Sequence, residues 1–178
     1  MRRARFVLWS VLLGLVLVAS IGMALARNGL SARSGLSSIE DRMLYGLRKR
    51  VIALDTGDRQ NPQAGRWREA VHHFEEECAV CHGPAGRGDG MLGPLVYPPA
   101  PDLTSARTQS LSDAELHHII AQGIRFTAMP GMAGHDSEDE IWQLVSLVRQ
   151  LPSLSAEQMK EATGGNSGGQ GHSHEIKR

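Results

Sequence analysis

The chain has only two cysteines, no net charge, and an aromatic content of 4% in 178 residues. Two cysteines exclude a disulfide framework and a four-cysteine zinc site. The zero net charge hides an uneven distribution. Residues 1–65 carry ten Lys/Arg against four Asp/Glu, a net of +6, and residues 66–162 carry seven against fourteen, a net of −7. The basic charge therefore lies outside the central region, which argues against a nucleic-acid binder. Strand-like alternation and internal repeats are also missing. Between 66 and 152 the aromatic residues are only Trp67, Phe74, Tyr97, Phe126 and Trp142. A core so poor in large side chains is marginal by itself. Long loops without regular structure of their own imply that the chain wraps something.

A long apolar run opens the chain. Phe6 to Ala26 carries no charge, and at about 1.5 Å per residue it spans roughly 30 Å, one bilayer core. Arg2, Arg3 and Arg5 hold its start in the cytoplasm. "ALA" at 24–26 offers a small-residue cleavage site, but the run exceeds the roughly 7–15 residues of a signal core. The expectation is an uncleaved anchor in the inner (cytoplasmic) membrane, with the rest facing the periplasm. Cleavage after Ala26 would instead release a soluble periplasmic protein.

Residues 27–65 read as a linker holding a short helix. Ser37 and Glu40 have capping-box spacing, and Ile39, Met43, Leu44, Leu47, Val51 and Ile52 recur at helical intervals. With Arg42, Arg48, Lys49 and Arg50 nearby, this helix suits an anionic membrane surface or packing on the following domain. Residues 66–152 form that domain, an all-α unit of three main helices and long loops. Trp67, Ala70, Val71, Phe74, Cys78 and Cys81 share one face of its first helix. The Ser112/Glu115 and Ser137/Glu140 pairs start the other two. Leu116, Ile119 and Ile120 line one, and Ile141, Val145 and Val148 the other. Residues 153–178 read as a flexible tail on composition.

The cysteines lie in "CAVCHG", and C-x-x-C-H reads as a c-type haem attachment site. Two thiols on one helical flank can bond to vinyl groups along a porphyrin edge, and the following imidazole of His82 reaches the iron. A thioredoxin-like dithiol would need a βαβ setting, and zinc would need two further ligands. The other axial position calls for a soft ligand, and a thioether raises the potential. Met129, followed by the stiffening Pro130, is the first candidate, Met132 the second and Met91 the third.

Together "CAVCHG" at the end of a first helix, Gly93-Pro94 downstream, "TAMP" and a last helix bearing an aromatic resemble a class I monohaem c-type cytochrome over residues 66–152. More loosely, the upstream segment and "YPPAPDLT" are similar to membrane-anchored bacterial cytochromes. The resemblance implies the cytochrome c fold around one covalent haem c. It also implies thioethers at Cys78 and Cys81 and axial iron ligands His82 and Met129. The Pro94 carbonyl would accept the Nδ1–H of His82. The family crosses its first and last helices at a small residue against an aromatic, which Phe74 and Trp142 suit, with Ala70 where a glycine is usual.

His72, His73, His117 and His118 read as solvated surface histidines, and Glu75 to Glu77 as a solvated face. Arg125 and Tyr97 are minor candidates for haem propionates, and His172 and His174 for a weak tail metal site. The reading that results is a non-enzymatic electron carrier. Its partners would be redox proteins such as an oxidase, a bc₁-type complex or a dehydrogenase, or it would be a non-catalytic subunit of such a complex. A catalytic or gas-sensing haem with an open sixth site and a haem-free thiol or zinc module are the rivals.

Overall fold

The computed structural model describes residues 2–29 and 38–165. The chain separates into two compact units, Met1–Leu36 and Ser37–Arg178. The first holds helix α1, Arg2–Gly29. Its segment Arg5–Ala24 has a mean hydropathy of 2.4 and no residue buried against protein. It is long and apolar enough to cross a membrane, a form that an anchor and a signal peptide share.

Among the described residues of the second unit the regular elements are helices, joined by loops, and no strand forms. Helix α2, Ser38–Thr56, packs against helix α5, Asp113–Gln122. The capping box expected at its start begins at Ser37, outside the described residues. Ile52 and Thr56 are its buried residues. The Tyr45 hydroxyl donates to the Arg107 carbonyl at 3.2 Å. The Arg107 guanidinium lies 4.0 Å from the centroid of the Tyr45 ring and pairs with Asp41 at 2.6 Å. Of the two roles the sequence allowed for α2, packing on the domain is thus realised. Ile39, Met43, Leu47, Val51 and Leu54 nevertheless remain exposed.

The first domain helix, α3, runs over 67–82 and is not one regular helix as its periodicity suggests. It comprises a 3₁₀ turn at Trp67–Ala70, an α turn at Val71–His73, a π turn at Phe74–Cys78 and an α turn at Ala79–His82. The Ala79 amide donates to the Phe74 carbonyl, five residues back. The wide turn takes up one residue more than an α turn and rotates the following segment off the apolar line. Ala70, Val71 and Phe74 are accordingly buried, whereas Cys78 and Cys81 are half-buried.

A short helix α4 spans Ala106–Gln109. Both expected capping boxes are present. Ser112 and Glu115 cap α5, and Ser137 and Glu140 cap α6, Glu138–Gln150. Each box satisfies two amides that a helix start leaves without partners. Phe74, Trp142, Val145, Leu147 and Leu151 centre the core where α3, α5 and α6 meet. Arg149 closes its edge. Its Nε donates to Asp113 at 2.7 Å and one terminal nitrogen to the Gln109 carbonyl at 3.0 Å. Gln109 in turn donates from its side chain to the Val148 carbonyl at 2.9 Å.

The tail reading needs correction at its start. Residues Ala156–Gly165 form helix α7, and Met159 is buried in the core at 4% exposure. Composition pointed at the glycines from Gly164 onward and missed that Met159 and Ala162 lie on one face that reaches the core. The rest of the tail, with His172 and His174, lies outside the described residues.

Candidate haem site

The site is built on the last turn of α3. Helix α3 stops at Gly83, which has φ 76°, and the chain turns back along the turn that carries the cysteines. The Gly88 amide donates to the His82 carbonyl at 2.7 Å and the Leu92 amide to the Val80 carbonyl at 2.9 Å. This contact needs glycine at two places. A Cβ on Gly90 would meet the Ala79 carbonyl oxygen at 2.4 Å, and one on Gly93 would meet that of Cys81 at 2.2 Å. Any side chain there would push the loop off the attachment segment.

His82 is 8% exposed. Its Nδ1 lies 3.2 Å from the Pro101 carbonyl oxygen. Since a carbonyl only accepts, Nδ1 carries the proton and Nε2 the lone pair. Burial lowers the His82 pKa, and the Pro101 hydrogen bond opposes the shift more weakly. The ring is therefore neutral, the form that ligates a metal. Asp102 fixes the carbonyl's neighbourhood, accepting from the Thr104 amide at 2.7 Å and the Thr104 hydroxyl at 2.6 Å. The Leu103 amide adds a bond to the Gly86 carbonyl at 2.7 Å.

Pro94, expected to supply that carbonyl, does not. Gly93-Pro94 lies in a 3₁₀ turn, Gly93–Leu95, pressed against the Cys81 backbone. The Gly93 carbonyl accepts from Ala100 at 3.0 Å. That bond doubles the proline-rich segment back and delivers Pro101, not Pro94, to the imidazole. The sequence holds several prolines in this stretch, and the family resemblance pointed to Pro94, whereas the fold brings Pro101 to the ring.

The Cys78 thiol is pushed up to about 12, mainly by burial and then by the negative charges of Glu77 and Asp136. It is held as a neutral thiol, not as a reactive thiolate. Both cysteines are free thiols, and they flank one helical turn that ends in His82.

Met129 sits half-buried in the loop after α5. Its amide donates to the Thr127 hydroxyl at 3.1 Å, and its carbonyl accepts from the Ile124 amide at 3.2 Å. A bond from the Met132 amide to the Ile120 carbonyl at 3.0 Å ties the loop's far end to α5. Met91 is exposed. Arg125 is exposed and Tyr97 half-buried.

Two histidines read as solvated are not. His117 is 5% exposed, with its ring 4.1 Å from that of Trp142 and the planes 28° apart. The side chain of His73 is 18% exposed and approaches Asp136 at 3.2 Å and Glu77 at 3.4 Å. Both lie off the apolar stripes of their own helices. Only the folding of other elements over them buries them, and no local pattern announces it.

The donor set fits a haem group. It offers two thiols on one helical flank, a neutral imidazole with its outer nitrogen committed to a carbonyl, and a backbone loop laid flat by glycines. When bound, such a group supplies a one-electron Fe(III)/Fe(II) couple. Cys78 and Cys81 would hold it covalently, and the Pro101 hydrogen bond would orient the His82 ring toward it. Residues 65–148 match the family described as cytochrome C oxidase, cbb3-type, subunit III. No curated protein matches the chain. The attachment motif, the buried imidazole on its carbonyl and the family match converge on one reading: residues 65–148 are a c-type cytochrome domain, which serves haem-based electron transfer.

Proposed function

We propose that this chain is a membrane-tethered, outer-sphere electron carrier with one haem c bound by Cys78 and Cys81 and ligated axially by His82 and Met129. The observation that carries the reading is the His82–Pro101 hydrogen bond. It presents Nε2 as the ligand atom and strengthens the ring as a donor. Met129 is preferred to Met132 because Pro130 directly after it stiffens the backbone that carries its thioether. A ring fixed before the electron arrives keeps reorganisation small, which suits a shuttle better than a substrate-binding site.

The spectrum tests this directly. Ferric protein with a far-red methionine–iron band, and ferrous protein indifferent to CO, are expected. Met129→Ala loses the band, lowers the potential and binds CO, whereas Met132→Ala does none of these. A band that survives in the Met129 variant refutes the ligand choice. A wild type that binds CO at once favours the gas-binding or catalytic rival.

Two features support the tether. The segment Arg5–Ala24 is apolar enough to span a bilayer. The exposed apolar row of α2 is accompanied by Arg42, Lys49 and Arg50, the composition of an interfacial helix. Retention of the haem-stained chain in membranes after alkaline carbonate washing is expected. A soluble form with a mature N-terminus at Arg27 refutes it.

The family description favours a second reading, in which the chain is a cytochrome subunit of a cbb3-type oxidase. Mild detergent extraction separates the two. A subunit co-purifies with oxidase haems in fixed ratio, and a carrier elutes alone.

A further inference from the structure

We propose that His73, Glu77 and Asp136 form a site for one divalent cation of the zinc or manganese type, which clamps α3 to the segment just before α6. One ligand atom from each residue lies within 4.8 Å of the others. His73 Nε2 is 3.4 Å from Glu77 and 3.2 Å from Asp136 Oδ2. His73 and Glu77 stand four residues apart across the π turn of α3, so one helix supplies two ligands and a distant segment the third.

A second observation points into the cluster. The Asp136 side chain is 6% exposed, and its Oδ2 is buried without a hydrogen bond. Its other oxygen, Oδ1, faces His135 Nδ1 at 3.1 Å. His73 Nε2 lies 3.2 Å from Oδ2 without forming a hydrogen bond to it, and a buried carboxylate oxygen left so is costly. Two carboxylates beside one imidazole place two acidic ligands at a single point, which a divalent ion suits. One nitrogen and two oxygens, with water completing the shell, suit zinc, manganese or ferrous ion better than calcium or copper(I). The same two carboxylates are among the charges that disfavour a thiolate at Cys78, so a cation here would also lie close to the attachment segment.

The clamp has a structural consequence. α3 and α6 share the core around Phe74 and Trp142, and a metal bound only by the folded chain stabilises that arrangement by mass action. The site uses none of the haem ligands, so its test stands whatever Met129 does.

The test uses the full-length haem-loaded protein in detergent, stripped with chelator and dialysed against Zn²⁺ or Mn²⁺. One equivalent beyond the haem iron is expected, together with a rise in melting temperature. Asp136→Asn and His73→Gln each weaken binding at least tenfold and lose the melting rise. The His172→Ala/His174→Ala double variant keeps both, because the tail takes no part. If Asp136→Asn fails to fold, His73→Gln decides. The proposal is overturned if the wild type takes up no equivalent. It is equally overturned if His73→Gln binds as well as the wild type, or if the tail variant alone abolishes uptake. A proton on His73 bridging the carboxylates would give the first of these results.

Discussion

The imidazole of His82 donates its Nδ1–H to the carbonyl of Pro101, 19 residues further along the chain, at 3.2 Å. This bond chooses which ring nitrogen faces a metal. It depends on a turn that Asp102 organises through Thr104.

Asp102→Ala should loosen the Pro101 carbonyl. A loss of about 1 kcal/mol of stability is expected for the turn's hydrogen bonds. The weaker hydrogen bond makes His82 a poorer donor and raises the reduction potential. Potentiometry combined with exchange of the ring N–H by NMR checks it. An unchanged potential with normal exchange would show that Asp102 plays no part in holding the ring.

Cys78→Ala or Cys81→Ala should leave little folded protein. The core is small, and the loop from Gly83 to Pro101 gains few apolar contacts of its own, with Leu95 exposed at 71% and Met91 at 75%. Haem staining and far-UV circular dichroism read the two losses together. A variant without haem that keeps native helicity and melts cooperatively would contradict this.

Stability should decline in mild acid because of His117. Burial lowers its pKa below the ordinary value, outweighing the Glu138 charge. The unfolded chain then takes up a proton more readily than the folded one. This group costs nothing above about pH 6.5 and destabilises progressively as pH falls below it. His117→Phe keeps a ring against Trp142 and removes the proton site. Denaturant titrations at several pH values should show a shallower acid slope in the variant. Parallel slopes would assign the acid loss elsewhere.

Met159→Ala should cost about 2–5 kcal/mol, the usual range for emptying a buried methionine site. The measurement is urea unfolding of the haem-loaded protein. A cost near zero would mean that α7 does not dock on the core in solution.

Much of the site was legible before any fold was known. Cys78, Cys81 and His82 lie within five residues, and the spacing by which they fit a haem-binding motif is local. The caps of α5 and α6 are local as well, because a capping box joins residues three apart. The apolar run at 6–26 needs only length and composition.

The partner of His82, the burial of His73 and His117, and the docking of α7 required the tertiary structure. Each joins residues distant in sequence, and each polar group gains its environment only when another element covers it. The π turn of α3 belongs here too. Helical periodicity describes a regular helix, and only the packing of Phe74 against α6 and the backbone bond from Ala79 to Phe74 show where that regularity is broken. Sequence alone determined that the chain carries a C-x-x-C-H haem-binding motif, because that motif is a matter of neighbouring residues. The fold decided how that chemistry is held, because orientation and burial depend on chain segments that meet only in space.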